Sequence, residues 1–399
     1  MFSFRARVLF LFFYLILSQY HAHAQPMRWL DPALDDDNLP HSGGLLSWQG
    51  DAQVIGFRNI KAMSPTRDIL AGQSVLELPY ALHDFSSLKY EVDGQQFSIA
   101  DFQQHNEVGG LLVLHEGKIL LEQYNFGNTD KTPWVSFSMT KSVVSMLVGA
   151  ALKDGFIASV DDKVTDYLPQ LKNSSYENVS IRNVLHMASG VQWNEDYADP
   201  NSDVASAPND LMSLFRFLGS KVRSAAPGEQ FNYNTGETNL VGAILRAAIG
   251  NNLATYLTYK VWQPFGMEAD ANWLTHGLGN GELGGCCISA TLRDFGRLGL
   301  FALNGGVLVD GTQVLADGWM QESISPSKAN PAYGYLWWLQ GDGSYRASGI
   351  YGQGIYIHPE QDLVVVTLGA WQTAQGAVYA MHRDAFFAAV TDEVKGNKK

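Results

Sequence analysis

Two β-rich stretches, far apart in the chain, limit most strongly what this protein can fold into. From Gly109 onward, Leu111-Leu112-Val113-Leu114 and Ile119-Leu120-Leu121 flank Glu116-Gly117, the pattern of a hairpin. Near the other end, Tyr335–Leu339, Gly354–Ile357 and Leu363–Leu368 read as strands parted by Gly and Pro turns, before a final helical stretch over 377–390. The middle has a different period. Val143, Val144, Met146, Leu147, Ala150 and Leu152 recur at helical spacing until Gly155, and Leu240, Val241, Ile244 and Leu245 share another helical face. Strands from both ends around a helical middle predict one antiparallel sheet flanked by helices, plus a helical lobe. This is an α+β fold with a cleft between its lobes.

The first residues read as an export signal. Arg5 and Arg7 precede an apolar run from Val8 to Leu17, and Ala22-His23-Ala24 gives the small-x-small cleavage pattern. The run is too short to span a bilayer, although a retained N-terminal anchor is the alternative. Expected boundaries are a signal over 1–24, an N-terminal extension over 25–90 laid across the body, and one main domain over 91–395. The mature chain would be periplasmic or secreted. Losing residues 1–24 removes two arginines and no acids, taking the formal charge from −13 to −15. Such a surface repels nucleic acid and anionic membrane, and says nothing sharper about the small-molecule substrate expected from the motifs. No HExxH or CxxC spacing occurs, so no metal or cofactor is expected. The two cysteines, Cys286 and Cys287, are adjacent. Export allows a disulfide, but two small residues packed in the turn Gly284-Gly285-Cys286-Cys287 is the favoured reading.

A Ser-x-x-Lys run can place a serine hydroxyl and an amine on one helical face, where the amine can take the hydroxyl proton. The chain has three: Ser86–Lys89, Ser138–Lys141 and Ser325–Lys328. Ser325 is followed by Pro326, and Ser86 runs into a strand-like segment. Only Ser138 opens a strongly apolar helix, which would bury Lys141, lower its pKa and present Ser138 at a helix N-terminus.

These residues also carry a resemblance. Trp134-Val135-Ser136-Phe137-Ser138-Met139-Thr140-Lys141-Ser142 resembles the nucleophile motif of the serine β-lactamase and penicillin-binding-protein superfamily, class C branch. Leu185-His186-Met187-Ala188-Ser189-Gly190-Val191 is similar to that branch's structural turn, where His186 would be structural. Phe231-Asn232-Tyr233-Asn234-Thr235-Gly236 resembles its Tyr-x-Asn motif, and Thr291–Gly299 a helix found there. Ala347-Ser348-Gly349 sits where the third, Lys-Thr/Ser-Gly motif belongs. The ordered matches cover about residues 90–390. The 6-aminohexanoate-dimer hydrolases and the β-lactamase-fold esterases are the nearest in motif.

The resemblance implies a β-lactamase/transpeptidase-like fold and an acyl-enzyme on Ser138, with Lys141 accepting or relaying its proton. Tyr233, as phenolate or sharing a proton with Lys141, would serve the leaving group. The oxyanion hole would use the backbone N–H groups of Ser138 and Ile350. Ser348 and Gly349 would border the substrate. Tyr197, in Trp193-Asn194-Glu195-Asp196-Tyr197, is a candidate substrate contact or a plain surface residue. Two departures stand out. Thr235 replaces the asparagine that touches the substrate amide, and Ala347 replaces the lysine that binds a substrate carboxylate. Arg346 is next to it but is expected on the opposite strand face. The implied activity is ester or amide hydrolysis. A weak β-lactamase or D-Ala-D-Ala peptidase, or a non-catalytic cell-wall-binding or assembly protein of the same fold, are the alternatives. No Gly-x-Ser-x-Gly elbow occurs, which disfavours an α/β-hydrolase.

Overall fold

In the computed structural model, which describes residues 27–277 and 281–396, the apolar runs near the two ends become one sheet. The expected export signal over 1–24 lies outside the described residues. Apart from a small hairpin of Tyr90–Val92 and Gln95–Phe97, the strands in chain order are β1 Thr66–Ile69, β2 Val108–His115, β3 Lys118–Tyr124, β4 Trp134–Val135, β5 Ala271–Leu274, β6 Ile288–Ala290, β7 Trp338–Leu339, β8 Tyr345–Ser348, β9 Gly354–His358 and β10 Leu363–Gly369. The main sheet has the order β3-β2-β10-β9-β8-β7, antiparallel throughout. The pairing of β2 with β10 joins strands from the two ends of the chain, with Val113 opposite Val365.

Both faces of this sheet are covered, which is why its central strands read as unbroken apolar runs. Leu112, Leu114, Ile355, Val364 and Val366 join the core cluster that holds the helix Met139–Lys153. Leu111, Val113, Tyr356 and Val365 face the other way, onto Phe386, Phe387 and Val390 of the C-terminal helix Ala377–Gly396. That helix runs beyond its expected end at residue 390. The helical lobe lies between β4 and β5 and includes Thr235–Ile249, whose N-cap Asn234 accepts from the backbone N–H of Glu237.

Two expectations need correction. Tyr335–Leu339 is a strand only at Trp338–Leu339. The preceding residues turn instead, with Leu336 at φ 61° and its carbonyl accepting from Ser142 Oγ at 2.7 Å. The segment over 25–90 is more than an arm laid over the body. Its helix Gly50–Arg58 buries Val54 and Phe57, with Phe57 in edge contact with Trp134 and Phe137. Its β1 pairs with β5 in a second sheet, of order β1-β5-β6-β4. Arg58 is buried and chelates Asp35 through Nε and Nη2 at 2.6 and 2.5 Å, while its Nη1 donates to the Phe126 carbonyl at 2.8 Å. A buried cation is tolerable because its donors are matched.

Candidate active site

The second sheet delivers Ser138. After β4 the chain turns sharply at Phe137, which has φ 45°, and the helix Met139–Lys153 starts with Ser138 at its N-cap. A positive φ at a β-unbranched but bulky residue is strained, and persists where its surroundings fix it. The fixing bonds are clear. Ser136 Oγ and Thr140 Oγ1 lie 2.7 Å apart, and both accept from the N–H of Ile288 on β6, at 2.9 and 3.0 Å. The neighbouring Ser136 N–H donates to the Ile288 carbonyl at 2.8 Å.

One turn along the helix, Lys141 is fully buried, with Nζ at 2.9 Å from Ser138 Oγ, 3.0 Å from Thr235 Oγ1 and 2.8 Å from the Gly285 carbonyl. Gly285 is itself held by its N–H donating to Asn239 Oδ1 at 2.9 Å. Burial pulls the Lys141 amine down to about 8, against a smaller upward pull from the charge of Glu195. Tyr233 contacts the same serine hydroxyl, and its ring lies 5.2 Å from Lys141 Nζ. Burial raises the Tyr233 phenol well above its ordinary range, and the charge of Glu195 adds to this while the Ser138 contact opposes it. Tyr233 stacks on Trp338, with ring centroids 5.7 Å apart.

Glu195 is a site residue that no sequence motif singles out. It accepts from Thr235 N at 3.0 Å, from Tyr197 Oη at 2.6 Å, and from Thr235 Oγ1 and Trp193 Nε1. Its signal is the Trp193-x-Glu195-x-Tyr197 spacing, whose alternation turns all three side chains the same way. Thr235 therefore links Glu195 to Lys141. Its hydroxyl proton goes to Glu195, so its oxygen can only accept from Lys141.

The third strand segment meets the serine turn. A side-chain carbon at Gly349 would lie 2.4 Å from the Ser136 carbonyl oxygen, so only glycine allows β8 to come this close. The contact brings Ile350 beside Ser138 on the wall of one cleft of about 500 Å³, with Tyr197, Tyr233, Ser348 and Gly349. All the residues expected at the site therefore gather there or, for Lys141 and Thr235, just behind it.

The third motif has the opposite strand phase to the one expected. Ala347 is buried away from the cleft, whereas Arg346 and Ser348 both line it. A lysine at position 347 would not have faced substrate here. Arg383 of the C-terminal helix joins the same wall. A second cavity, of about 460 Å³ and largely apolar, also reaches Ser138 and is bordered by Leu45, Leu46, Leu214, Thr235, Leu274 and Cys286, among others. The sulfurs of Cys286 and Cys287 sit against each other as a vicinal pair, not as two separately packed side chains. The turn is drawn tight from inside, because Trp273 Nε1 donates to the Leu283 and Cys286 carbonyls and Lys141 to that of Gly285.

Comparison with known proteins agrees with this geometry. A family model described as Beta-lactamase matches residues 96–388. The 6-aminohexanoate-dimer hydrolase of Paenarthrobacter ureafaciens is 28% identical over 308 residues, covering 70% of this chain and 78% of that protein. A Bacillus anthracis structure provisionally described as a 6-aminohexanoate-dimer hydrolase superposes with a TM-score of 0.78 at 21% identity, covering 88% of this chain and 96% of its own. EstCE1, a hydrolase with promiscuous acyltransferase activity, superposes with a TM-score of 0.57 at 15% identity, covering 71% and 94%. Motif order, sheet topology and the family match converge: the chain belongs to the beta-lactamase family of serine hydrolases.

Proposed function

We propose that the protein hydrolyses an ester or amide through an acyl-enzyme on Ser138. One observation carries this reading: the bonding around Lys141 Nζ. Gly285 O and Thr235 Oγ1 can only accept, so they take two N–H donors, and a neutral amine then has its lone pair left for the Ser138 hydroxyl. An amine lowered to about 8 reaches that state as the pH passes about 8, while the raised Tyr233 stays a phenol. Lys141 is thus the base and Tyr233 the proton donor. As Ser138 Oγ bonds to the carbonyl carbon, its proton passes to Nζ. The bond to the leaving group then breaks, with the Tyr233 proton going to the leaving atom and the Lys141 proton restoring the phenol. Water repeats the sequence to free the acid. The N–H groups of Ser138 and Ile350 face the developing oxyanion.

A fluorophosphonate probe tests the reading. Mass spectrometry of the labelled protein should place one adduct on the Ser138 peptide, and Ser138→Ala should carry none. An unlabelled Ser138 in folded protein would overturn it, in favour of a non-catalytic member of the fold. A short-chain fluorogenic ester against a chromogenic cephalosporin separates the nearer alternative, since much faster cephalosporin turnover would make the protein a β-lactamase. Glu195 gives a finer check. Its charge holds the Lys141 pKa up, so Glu195→Gln should move the acidic limb of the kcat/KM profile to lower pH, and loosening Thr235 should lower kcat about tenfold. An unmoved limb would remove Glu195 from the proton circuit.

A further inference from the structure

The apolar cavity beside Ser138 holds one side chain that the proposed mechanism leaves unexplained. His276, just after β5, is 1% exposed, yet neither Nδ1 nor Nε2 has a hydrogen-bond partner among the described residues. Its place is fixed by backbone bonds alone. The Thr275 N–H donates to the Pro65 carbonyl at 3.1 Å, and the His276 N–H to that of Gly281 at 2.9 Å. An imidazole stripped of water with both nitrogens unused is costly to bury, and a buried polar side chain normally finds a partner. The ring borders the cavity of about 460 Å³ that reaches Ser138, so its nitrogens have a space to serve. Burial, helped by the charge of Arg246, draws it down to about 4 against the weaker opposite pulls of Asp210 and Glu282. At neutral pH it is therefore uncharged, with one N–H donor and one acceptor nitrogen.

The other walls decide what kind of group can use it. Among the described residues no Asp, Glu, Lys or Arg side chain lines this cavity, whereas Glu195, Asp196, Arg346 and Arg383 all line the cleft on the other side of Ser138. The remaining polar side chains here are engaged or open to solvent. Ser47 bonds to Gly44, Thr235 to Lys141 and Glu195, and Asn239 to the Gly285 N–H, while Asn209 is exposed. An ion entering the cavity would lose its water with no counter-charge on the wall. A wholly apolar chain would leave the imidazole unsatisfied. A neutral group that both donates and accepts fits. The two spaces meet at Ser138, Tyr197 and Ile350, and Tyr233, the proton donor to the leaving atom, lines only the charged one. The acyl group therefore points into the apolar cavity. Resting on the acyl-enzyme reading above, we propose that His276 is a specificity-determining residue of the acyl side, reading a neutral hydroxyl or carboxamide carried by an otherwise apolar acyl chain. The preferred substrates are then esters or amides of hydroxy or carbamoyl acids, ahead of those of plain fatty acids or amino acids.

A matched pair of esters tests this. 4-Nitrophenyl 6-hydroxyhexanoate and 4-nitrophenyl heptanoate differ by a hydroxyl for a methyl at the chain end, and longer homologues of both let that end find His276. At the best length the hydroxy ester should lead in kcat/KM by about ten- to a hundredfold, the range of a buried polar group that gains its partner. 4-Nitrophenyl 6-aminohexanoate, of the same length but cationic, should fall below both. His276→Phe keeps a ring without its nitrogens and should reverse the preference toward the methyl ester. His276→Gln keeps a donor and an acceptor and should retain part of it. Damage to the fold would slow both esters alike and leave their ratio unmoved. Calorimetric binding of the anilides of the same two acids to Ser138→Ala reads His276 without any chemistry. A missing adduct on Ser138 with the anilide preference intact would therefore remove the acyl-enzyme reading and leave the subsite standing. Equal turnover and binding of the two chains at every length, a preference for the ammonium ester, or an unchanged ratio in His276→Phe would overturn the proposal.

Discussion

Lys141→Met should lower kcat/KM for an activated ester by about 10³- to 10⁴-fold, the usual span of a lost general base, while making the protein more stable at pH 7. The two effects have one cause. The amine is buried with a pKa near 8 against 10.5 in water, so below pH 8 the folded state must either hold a buried cation or give up a proton that the unfolded chain keeps. Between pH 8 and 10.5 the unfolded chain binds more protons, so wild-type stability rises with pH across that window. Below it the lysine costs about 3 kcal/mol. Its three hydrogen bonds return part of this, leaving an expected gain near 2 kcal/mol for the isosteric methionine. Urea unfolding at pH 7 and pH 10.5 measures it. The gain should be present at the lower pH and largely gone at the higher. A variant less stable than wild type at pH 7 would contradict the burial argument. In the wild type, kcat/KM should climb as pH passes about 8.

The second large effect concerns a residue with no side chain. Gly349→Ala should reduce kcat by about 10² to 10³, the cost of losing an oxyanion donor, with a smaller change in KM. Gly349 has φ −115°, which any residue adopts, so the requirement is space alone. A methyl there meets the Ser136 carbonyl oxygen at 2.4 Å and Gln353 Cβ at 3.0 Å, and it must push β8 off the serine turn. That parts Ile350 from Ser138. Gly341→Ala, whose added carbon meets nothing within 4 Å, is the control and should be near wild type. Unchanged kcat in Gly349→Ala would show that the two backbone segments need not touch.

The parts of the molecule that repeat a local period are legible from the sequence. The apolar helix behind Ser138 and the hairpin at Glu116-Gly117 stand where their patterns put them, and so does the pairing of the two chain ends in one sheet. Phase is harder than period. The motif alignment puts Ala347 on the cleft face and Arg346 off it, and the strand shows the reverse, because two-residue alternation says nothing of where it starts. Tyr335–Leu339 reads as a strand from composition, but Leu336 leaves the sheet to receive Ser142. Glu195, despite its local partners Trp193 and Tyr197, and Arg383 are hard to read for another reason. Each gains its place from partners about 40 residues away in sequence, Thr235 for the one and Arg346, bridged through Asp384, for the other, and no local pattern records such pairings.

The N-terminal segment finally changes how the enzyme's chemistry relates to its selectivity. Leu45 and Leu46 border the apolar cavity, the Leu46 carbonyl accepts from Tyr351 Oη at 2.8 Å, and Trp48 borders a neighbouring hollow with Tyr197. Leu45, Leu46 and Trp48 all precede the span matched to the family, which begins at residue 96. Part of the wall of the apolar cavity is therefore built by residues outside that span. Substitutions at Leu45 or Leu46 should alter what enters the apolar cavity, whereas the helix and strand of the same segment, packed on Phe137 and paired with β5, hold the serine turn in place.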